Sequence, residues 1–145
     1  QQDGFANGEF EVFGKPVSLA GVKLPLCAIA CETDHIAHWR GSYNGVARMG
    51  STDKIFILSQ SGHIAGIINP PSKGKYGHYT NPAPMTVPED FREGATFTAG
   101  SWWPRWGEWL AERSGPRIPA RAPGSAERPV LGPAPGLYVS AIPAV

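Results

Sequence analysis

The sequence predicts an α/β fold built on parallel strands, because a helical pattern separates two short apolar runs. Residues 24–30 and 54–59 form nearly continuous apolar runs of strand length, which is typical of strands buried on both faces of a parallel sheet. Between the two runs, Trp39, Tyr43, Val46 and Ala47 recur at the spacing of a helix. A strand, a helix and a strand in this order form a βαβ unit, whose two strand ends open on one edge of the sheet.

An acidic residue follows the first predicted strand and a histidine follows the second. Asp34 and His63 therefore stand at the carboxyl ends of adjacent strands, in the order of acid and base that α/β-hydrolases use. That order begins with a nucleophile on a sharp turn, in a Gly-x-Ser-x-Gly pentapeptide or its cysteine counterpart. The sequence contains no such pentapeptide. We therefore predict the C-terminal portion of an α/β-hydrolase fold, with its nucleophile outside this chain.

Shorter elements flank the βαβ unit. Residues 9–19 alternate weakly around a glycine and a proline, which predicts a surface hairpin. Residues 72–88 are polar with a few aromatic side chains, which predicts mostly loop and places His78 on the surface. Residues 88–94 are expected to form one or two helical turns.

The best-defined helix is rich in tryptophan, with Ser101 as its N-cap and Gly115 at its stop. Its apolar stripe is expected to pack in the core, with a surface for a partner or polymer as the alternative. The stripe consists of Trp102, Trp103, Trp106, Trp109 and Leu110.

The chain is predicted to divide into a catalytic part, residues 1–115, and a Pro/Gly-rich C-terminal extension, residues 116–145. The extension is expected to form an extended arm that packs only where a few apolar side chains find pockets. These side chains are Val130, Leu131, Leu137 and Tyr138.

Charge and cysteine usage narrow the classes of function. Thirteen basic and twelve acidic residues give a net charge of +1, so neither nucleic acid nor an anionic membrane is expected as the main partner. No run approaches the roughly 18 apolar residues of a membrane span.

Cys27 and Cys31 lie about 13 Å apart on one predicted strand, too far for a disulfide. We expect reduced core thiols, a cytoplasmic protein, and a chain cut from a longer precursor.

A metal site is the alternative use of the residues around Asp34. His35 and His38, with Cys31 nearby, could imitate a zinc site. Their spacing matches no standard zinc pattern, and a strand and a loop would point the ligands apart. We therefore predict no metal.

Four strings in a fixed order carry a resemblance to a known family. They begin at Asp34, Ser61, Gly100 and Pro133 and read Asp-His-Ile-Ala-x-Trp, Ser-Gly-His-Ile-Ala-Gly-x-Ile-Asn-Pro-Pro, Gly-Ser-Trp-Trp-Pro-x-Trp and Pro-Ala-Pro-Gly-x-Tyr-Val. Together they closely resemble the C-terminal part of the catalytic domain of class I polyhydroxyalkanoate synthases, over nearly the whole chain. One departure is His38, which stands where the family pattern has proline.

This resemblance implies an acyltransferase of α/β-hydrolase fold that polymerises (R)-3-hydroxyacyl-CoA, typically 3-hydroxybutyryl-CoA, and releases CoA. The CoA thioester is a substrate, so no cofactor is expected. By motif, Asp34 matches the family's catalytic aspartate and His63 its catalytic histidine. The family's cysteine nucleophile has no counterpart here, and neither Cys27 nor Cys31 is a candidate for it. The fragment alone is therefore expected to be inactive.

The resemblance also implies partners and a location. The partners are the growing polyester chain and the remainder of the synthase, and the intact enzyme is expected to be a homodimer. The implied location is the cytoplasm, at the surface of polyester granules. Contacts with CoA are not identifiable from the residues.

The residue types suit thioester chemistry. An imidazole, whose ordinary pKa is about 6.5, can take a thiol proton at physiological pH. A carboxylate behind the ring would fix its tautomer; alternatively, Asp34 could help His63 deprotonate the hydroxyl of the incoming unit. Two other functions stay open: a serine esterase or depolymerase of the same fold, and a non-catalytic module that binds granules or a partner through the tryptophan helix.

Overall fold

The structure is a computed structural model and describes residues 3–141. The chain divides into two compact units between Ser114 and Gly115. The helices of the first unit are α1 (Gly4–Asn7), α2 (Trp39–Arg48), α3 (Pro88–Glu93) and α4 (Trp103–Ala111), with 3₁₀ turns at Leu19–Gly21 and Pro71–Lys73. Its strands are β1 (Phe10–Val12), β2 (Lys15–Val17), β3 (Leu26–Cys31), β4 (Lys54–Ser59), β5 (His78–Thr80) and β6 (Thr96–Thr98).

The predicted hairpin is confirmed as the antiparallel pair of β1 and β2. Its register runs from the pair Phe10 and Val17 to the pair Val12 and Lys15. Phe13 and Gly14 connect the strands, with φ angles of 51° and 71°. Two consecutive residues with positive φ give the turn geometry that matches the twist of a hairpin.

Within residues 3–141, the main sheet has four strands in the order β3-β4-β5-β6 and is mixed. The βαβ prediction is confirmed, because β3 and β4 are parallel and α2 connects them. Strands β5 and β6 continue the sheet in antiparallel pairing. The prediction of mostly loop over residues 72–88 holds outside the three residues of β5, but the surface position predicted for His78 was wrong. His78 lies in β5 and is buried, because it pairs with Ser59 on one side and Thr98 on the other.

An aromatic cluster fills the space between α2, α3 and the sheet. The rings of Tyr43, Phe56 and Phe91 lie 5.1 to 5.3 Å apart between centroids. Trp39 packs against Phe91 at 6.2 Å. Of the residues at helical spacing on α2, Trp39, Tyr43 and Val46 are buried and Ala47 is half-buried against the same cluster, which confirms the core stripe.

Two side chains cap the ends of α2. His38 precedes the helix, and its Nδ1 accepts a hydrogen bond from the N–H of Arg40 at 3.3 Å. Lys54, the first residue of β4, donates from Nζ to the carbonyls of Val46 and Met49 at 3.2 and 2.8 Å. An ammonium group at the carboxyl end of a helix satisfies open carbonyls and opposes the negative end of the helix dipole. The cap also ties α2 to the sheet.

The tryptophan helix is shorter and more exposed than the sequence predicts. It begins at Trp103, whose N–H donates to the Ser101 hydroxyl at 3.1 Å, and it ends at Ala111 rather than near Gly115. Trp102 is buried, but Trp103 and Trp106 are 36% and 40% exposed. Core packing is therefore correct for Trp102 and wrong for the two tryptophans that follow it.

The second unit contains one 3₁₀ turn, Tyr138–Ser140, within its described residues. The four apolar side chains that were expected to find pockets are all exposed, and Leu131 is exposed completely. No helix described between residues 3 and 141 is long and apolar enough to cross a membrane.

Truncation of a core side chain tests this account of the sheet. Leu58 is fully buried in β4, so Leu58→Ala removes buried methyl groups and leaves a cavity. We expect the free energy of unfolding to fall by about 2–5 kcal/mol. Leu24→Ala, at a side chain that is 74% exposed, is the matched control and is expected to cost about 0.5 kcal/mol or less. Equal losses in urea unfolding would contradict the burial of Leu58 in β4.

Candidate active site

The two predicted site residues lie in loops that leave the sheet at the same level. Strands β3 and β4 pair without a slip and end at the opposed residues Cys31 and Ser59. The pairing continues past the strands, because the N–H of Thr33 donates to the carbonyl of Ser61 at 3.1 Å. Parallel strands that end level deliver the residues after them to one edge of the sheet.

Asp34 and His63 meet at this edge. Oδ2 of Asp34 lies 2.8 Å from Nδ1 of His63. Oδ1 of Asp34 accepts hydrogen bonds from the N–H groups of Ile36 and Ala37 at 2.8 and 2.9 Å. The Asp34 side chain is 8% exposed, whereas that of His63 is 48% exposed. The carboxylate is therefore fixed inside the loop and the imidazole reaches solvent.

The hydrogen bonds of Asp34 determine its charge. The backbone N–H of Ala37 and the ring of His63 lower the pKa of Asp34 from 3.8 to about 2, with Ala37 as the larger cause. The group is therefore a carboxylate at neutral pH and can only accept hydrogen bonds. Nδ1 of His63 must then carry the proton in their shared bond. In the neutral imidazole, Nε2 holds the free lone pair and is the basic atom.

The loop that carries His63 turns sharply on either side of it. Ser61 adopts a φ of 75°, a left-handed conformation that is uncommon for a residue with a side chain. A side-chain carbon at Gly66 would lie 2.6 Å from Sγ of Cys31, so only glycine fits there. A side-chain carbon at Gly62 would meet nothing closer than 3.7 Å. Close packing of the loop therefore depends on Gly66.

The two cysteines of the chain are free thiols on β3. Burial and the neighbouring charge of Asp34 raise the pKa of the Cys31 thiol to about 11. Burial likewise raises the pKa of the Cys27 thiol. Raised values suppress the thiolate, which is the nucleophilic form of cysteine. Neither residue is suited to act as a nucleophile.

Three donors on neighbouring elements hold the His63 loop, and the sequence did not identify them. The indole N–H of Trp102 donates to the carbonyl of Gly66 at 2.9 Å, and the hydroxyl of Ser59 donates to the same oxygen at 2.8 Å. The indole N–H of Trp103 donates to the carbonyl of Ile67 at 3.0 Å. The indole N–H of a buried tryptophan needs a hydrogen-bond acceptor. This requirement is the signal in the sequence that could have linked Trp102 to a neighbouring loop.

Within the described residues, none of the other three histidines is hydrogen-bonded to Asp34 or His63. His35 and His38 are exposed in the loop before α2. Nδ1 of His78 lies 3.1 Å from the carbonyl of Gly100 in the sheet interior. Among residues 3–141, no three His, Cys, Asp or Glu side chains are grouped to hold a metal ion.

Apolar side chains that belong to the same two loops are exposed to solvent. Ile36 follows Asp34 by two residues, Ile64 is adjacent to His63, and Ile68 ends the loop. These three isoleucines are between 63% and 68% exposed. The two loops that carry Asp34 and His63 therefore also present apolar side chains to solvent.

The mixed sheet and its paired carboxylate and imidazole define the chain as an α/β protein with an acid–base pair at a sheet edge. No family model matches it. It is 42% identical over 135 residues to the poly(3-hydroxyalkanoate) polymerase subunit PhaC of Cupriavidus necator. The aligned residues cover 92% of this chain and 23% of that protein. It is also 42% identical over 130 residues to poly(3-hydroxyalkanoate) polymerase 2 of Ectopseudomonas oleovorans, which covers 89% of this chain and 23% of that protein.

A third relative, the poly(3-hydroxyalkanoate) polymerase of Methylorubrum extorquens, is 41% identical over 135 residues, covering 92% of this chain and 22% of that protein. The chain therefore belongs to the polyhydroxyalkanoate synthase family, whose members are enzymes. The resemblance carried by the four strings is confirmed. The chain spans less than a quarter of the length of these relatives.

The pKa of Asp34 predicts a specific dependence of stability on pH. The pKa of Asp34 in the folded chain, about 2, is below its ordinary value of 3.8. The ionised carboxylate therefore stabilises the fold at pH values above 3.8, and this stabilisation is lost as the pH falls toward 2. We expect Asp34→Asn to lose this part of the dependence. Urea unfolding at a series of pH values checks the expectation. Equal slopes for the variant and the wild type below pH 4 would contradict it.

Proposed function

We propose that the chain is the C-terminal part of the catalytic domain of a class I polyhydroxyalkanoate synthase with an α/β-hydrolase fold. The intact enzyme would polymerise (R)-3-hydroxyacyl-CoA, typically 3-hydroxybutyryl-CoA, with release of CoA. In this proposal Asp34 and His63 are the catalytic acid and base, and a cysteine in the remainder of the synthase is the nucleophile. The intact enzyme would work as a homodimer at the surface of cytoplasmic polyester granules.

The observation that carries the proposal is the 2.8 Å contact between Asp34 and His63. It lies at the carboxyl ends of two parallel strands, where α/β enzymes place their reacting groups. The ring is half exposed, so its Nε2 is accessible to a group supplied from outside this chain. The sequence contains neither Gly-x-Ser-x-Gly nor Gly-x-Cys-x-Gly, which agrees with a nucleophile located elsewhere.

The hydrogen bonds of Asp34 favour an orienting role over direct activation of the substrate hydroxyl. Oδ1 accepts two backbone N–H groups and Oδ2 is bonded to His63. A pKa of about 2 also makes this carboxylate a weak base. We therefore propose that Asp34 fixes the tautomer of His63 and stabilises the imidazolium, as the acid of a triad does.

The proton transfers then follow from the free lone pair on Nε2. The cysteine thiol gives its proton to His63 as its sulfur attacks the thioester carbonyl. The bond to the CoA sulfur breaks, and CoA leaves with the proton from His63. The hydroxyl of a further unit attacks the acyl-enzyme, an ester bond forms, and the hydroxyl proton passes through His63 to the released cysteine sulfur.

The open edge of the main sheet supports a larger fold. Among the described residues, β3 pairs only with β4. Leu26 and Glu32 direct their N–H groups toward the β4 side, so the alternate residues Cys27 and Ile29 direct theirs away from it. An unpaired edge of this kind is normally covered in the complete protein. We propose that a strand from the remainder of the synthase pairs there.

A chimeric enzyme tests the proposed roles. In a Cupriavidus necator polymerase that carries this chain in place of its aligned segment, His63→Ala removes the base. We expect the rate of CoA release from 3-hydroxybutyryl-CoA to fall by about 100- to 10,000-fold. His35→Ala removes an exposed imidazole from the loop before α2 and is expected to leave the rate near that of the parent chimera.

Two results would refute the proposal. One is a near-parental rate in the His63→Ala chimera. The other is CoA release by this chain alone at a rate comparable to that of the chimera, since the nucleophile would then belong to this chain.

The exposed aromatic surface favours a second candidate, a non-catalytic module that binds polyester or a partner. Trp103 and Trp106 are each more than a third exposed. Trp103 is also bonded to the loop that carries the exposed isoleucine Ile68. Tryptophan combines a large apolar area with a polar N–H, which suits it to interfaces.

Binding to poly(3-hydroxybutyrate) particles tests this candidate. Sedimentation of the chain with particles should persist in the double variant Asp34→Asn, His63→Ala and should be lost in Trp106→Gln. Phe13→Gln, at a fully exposed aromatic side chain on the hairpin, is the matched control and should bind normally. Failure of the wild-type chain to sediment would exclude the polyester-binding form of this candidate.

A further inference from the structure

The carbonyl oxygen of Gly66 receives two hydrogen bonds from outside its own loop. The Ser59 hydroxyl donates from the end of β4 at 2.8 Å, and the Trp102 indole donates from the segment before α4 at 2.9 Å. Trp102 is 7% exposed and Ser59 is fully buried. Water therefore has little access to replace either bond.

Gly66 closes the turn that carries His63. The N–H of Gly66 donates to the carbonyl of Gly62 at 2.9 Å, which leaves His63 inside a single turn. The α-carbon of Gly66 lies so close to Cys31 that a side-chain carbon would be 2.6 Å from Sγ. The same residue is thus fixed through its N–H, its carbonyl and its α-carbon. Any movement of this turn also moves the imidazole.

We infer that Trp102 is a positioning residue for His63. Through its hydrogen bond to the Gly66 carbonyl, Trp102 keeps the imidazole in place against Asp34. The catalytic meaning of this inference rests on the proposed function, but the geometric claim does not. Trp102 and His63 need not touch for this effect, because the closed turn transmits the constraint.

The neighbouring tryptophans make this inference specific. Trp103 donates to the next carbonyl, that of Ile67, but in an exposed position where water competes for the acceptor. Trp106 packs on Trp102 with 6.0 Å between ring centroids. A role in packing alone would be shared among these rings, whereas the buried indole N–H on Gly66 belongs to Trp102.

Nuclear magnetic resonance on the full chain tests the inference without requiring polymer synthesis. The readouts are the solvent exchange rate of the His63 Nδ1 proton and the amide exchange rates of residues 66–68. Trp102→Phe keeps an aromatic ring and removes the N–H. We expect it to accelerate these rates by about three- to tenfold, as the loss of one hydrogen bond implies. Trp106→Phe is the matched control and should change them by less than about twofold.

Amide exchange in β4 separates local positioning from general loosening. Ile57 and Leu58 are fully buried in that strand, and their exchange rates should not change in Trp102→Phe. The inference is overturned if Trp102→Phe leaves the His63 proton as protected as Trp106→Phe does. It is also overturned if the β4 amides accelerate to the same extent as the His63 turn.

A second variant decides the matter if Trp102→Phe does not fold. Incorporation of 3-benzothienylalanine at position 102 keeps the bicyclic shape and places sulfur where the indole has its N–H. The same local acceleration is expected, and normal protection of His63 overturns the inference. These exchange measurements do not depend on the activity of the chimera. A full rate in the His63→Ala chimera would refute the proposed function, and the effect of Trp102 on the position of the ring could still be measured.

Discussion

The parallel pairing of β3 with β4 is the interaction on which the rest of the structure depends. Its register runs from Leu26 opposite Lys54 to Cys31 opposite Ser59 without a slip. A shift of one residue would turn every side chain of β3 to the other face and move its end by about 3.3 Å. The carboxylate and the imidazole would then no longer meet. The buried residues of β4 therefore determine the geometry of the site as well as the stability of the fold.

The site combines a histidine whose tautomer is fixed with a cysteine thiol that stays protonated. Backbone N–H groups and His63 hold Asp34 ionised, so the His63 ring has a fixed tautomer and a free Nε2. At the same time, burial and the charge of Asp34 keep the Cys31 thiol protonated. The same carboxylate thus fixes the tautomer of the histidine and disfavours a thiolate at Cys31. This arrangement suits a chain that orients a base for a nucleophile located elsewhere.

The sequence predicts the parts of the molecule that are long and locally patterned. The apolar runs before Asp34 and His63 and the stripe on α2 were sufficient to predict the βαβ unit. The three-residue strands β5 and β6 were missed because so short a segment has no measurable periodicity and forms through pairing with distant residues. Exposure of Trp103 and Trp106 was missed for a related reason. Helical spacing shows which side chains share a face and does not show what covers that face.

The central claim is that Nε2 of His63 takes the proton of a thiol in the remainder of the synthase. The most direct measurement is the rate at which iodoacetamide alkylates the nucleophilic cysteine of the chimeric polymerase at neutral pH. Only the thiolate reacts, and a free thiol with a pKa of about 8.5 is mostly protonated at that pH. We expect His63→Ala to slow alkylation by about tenfold or more. An unchanged rate would contradict the claim.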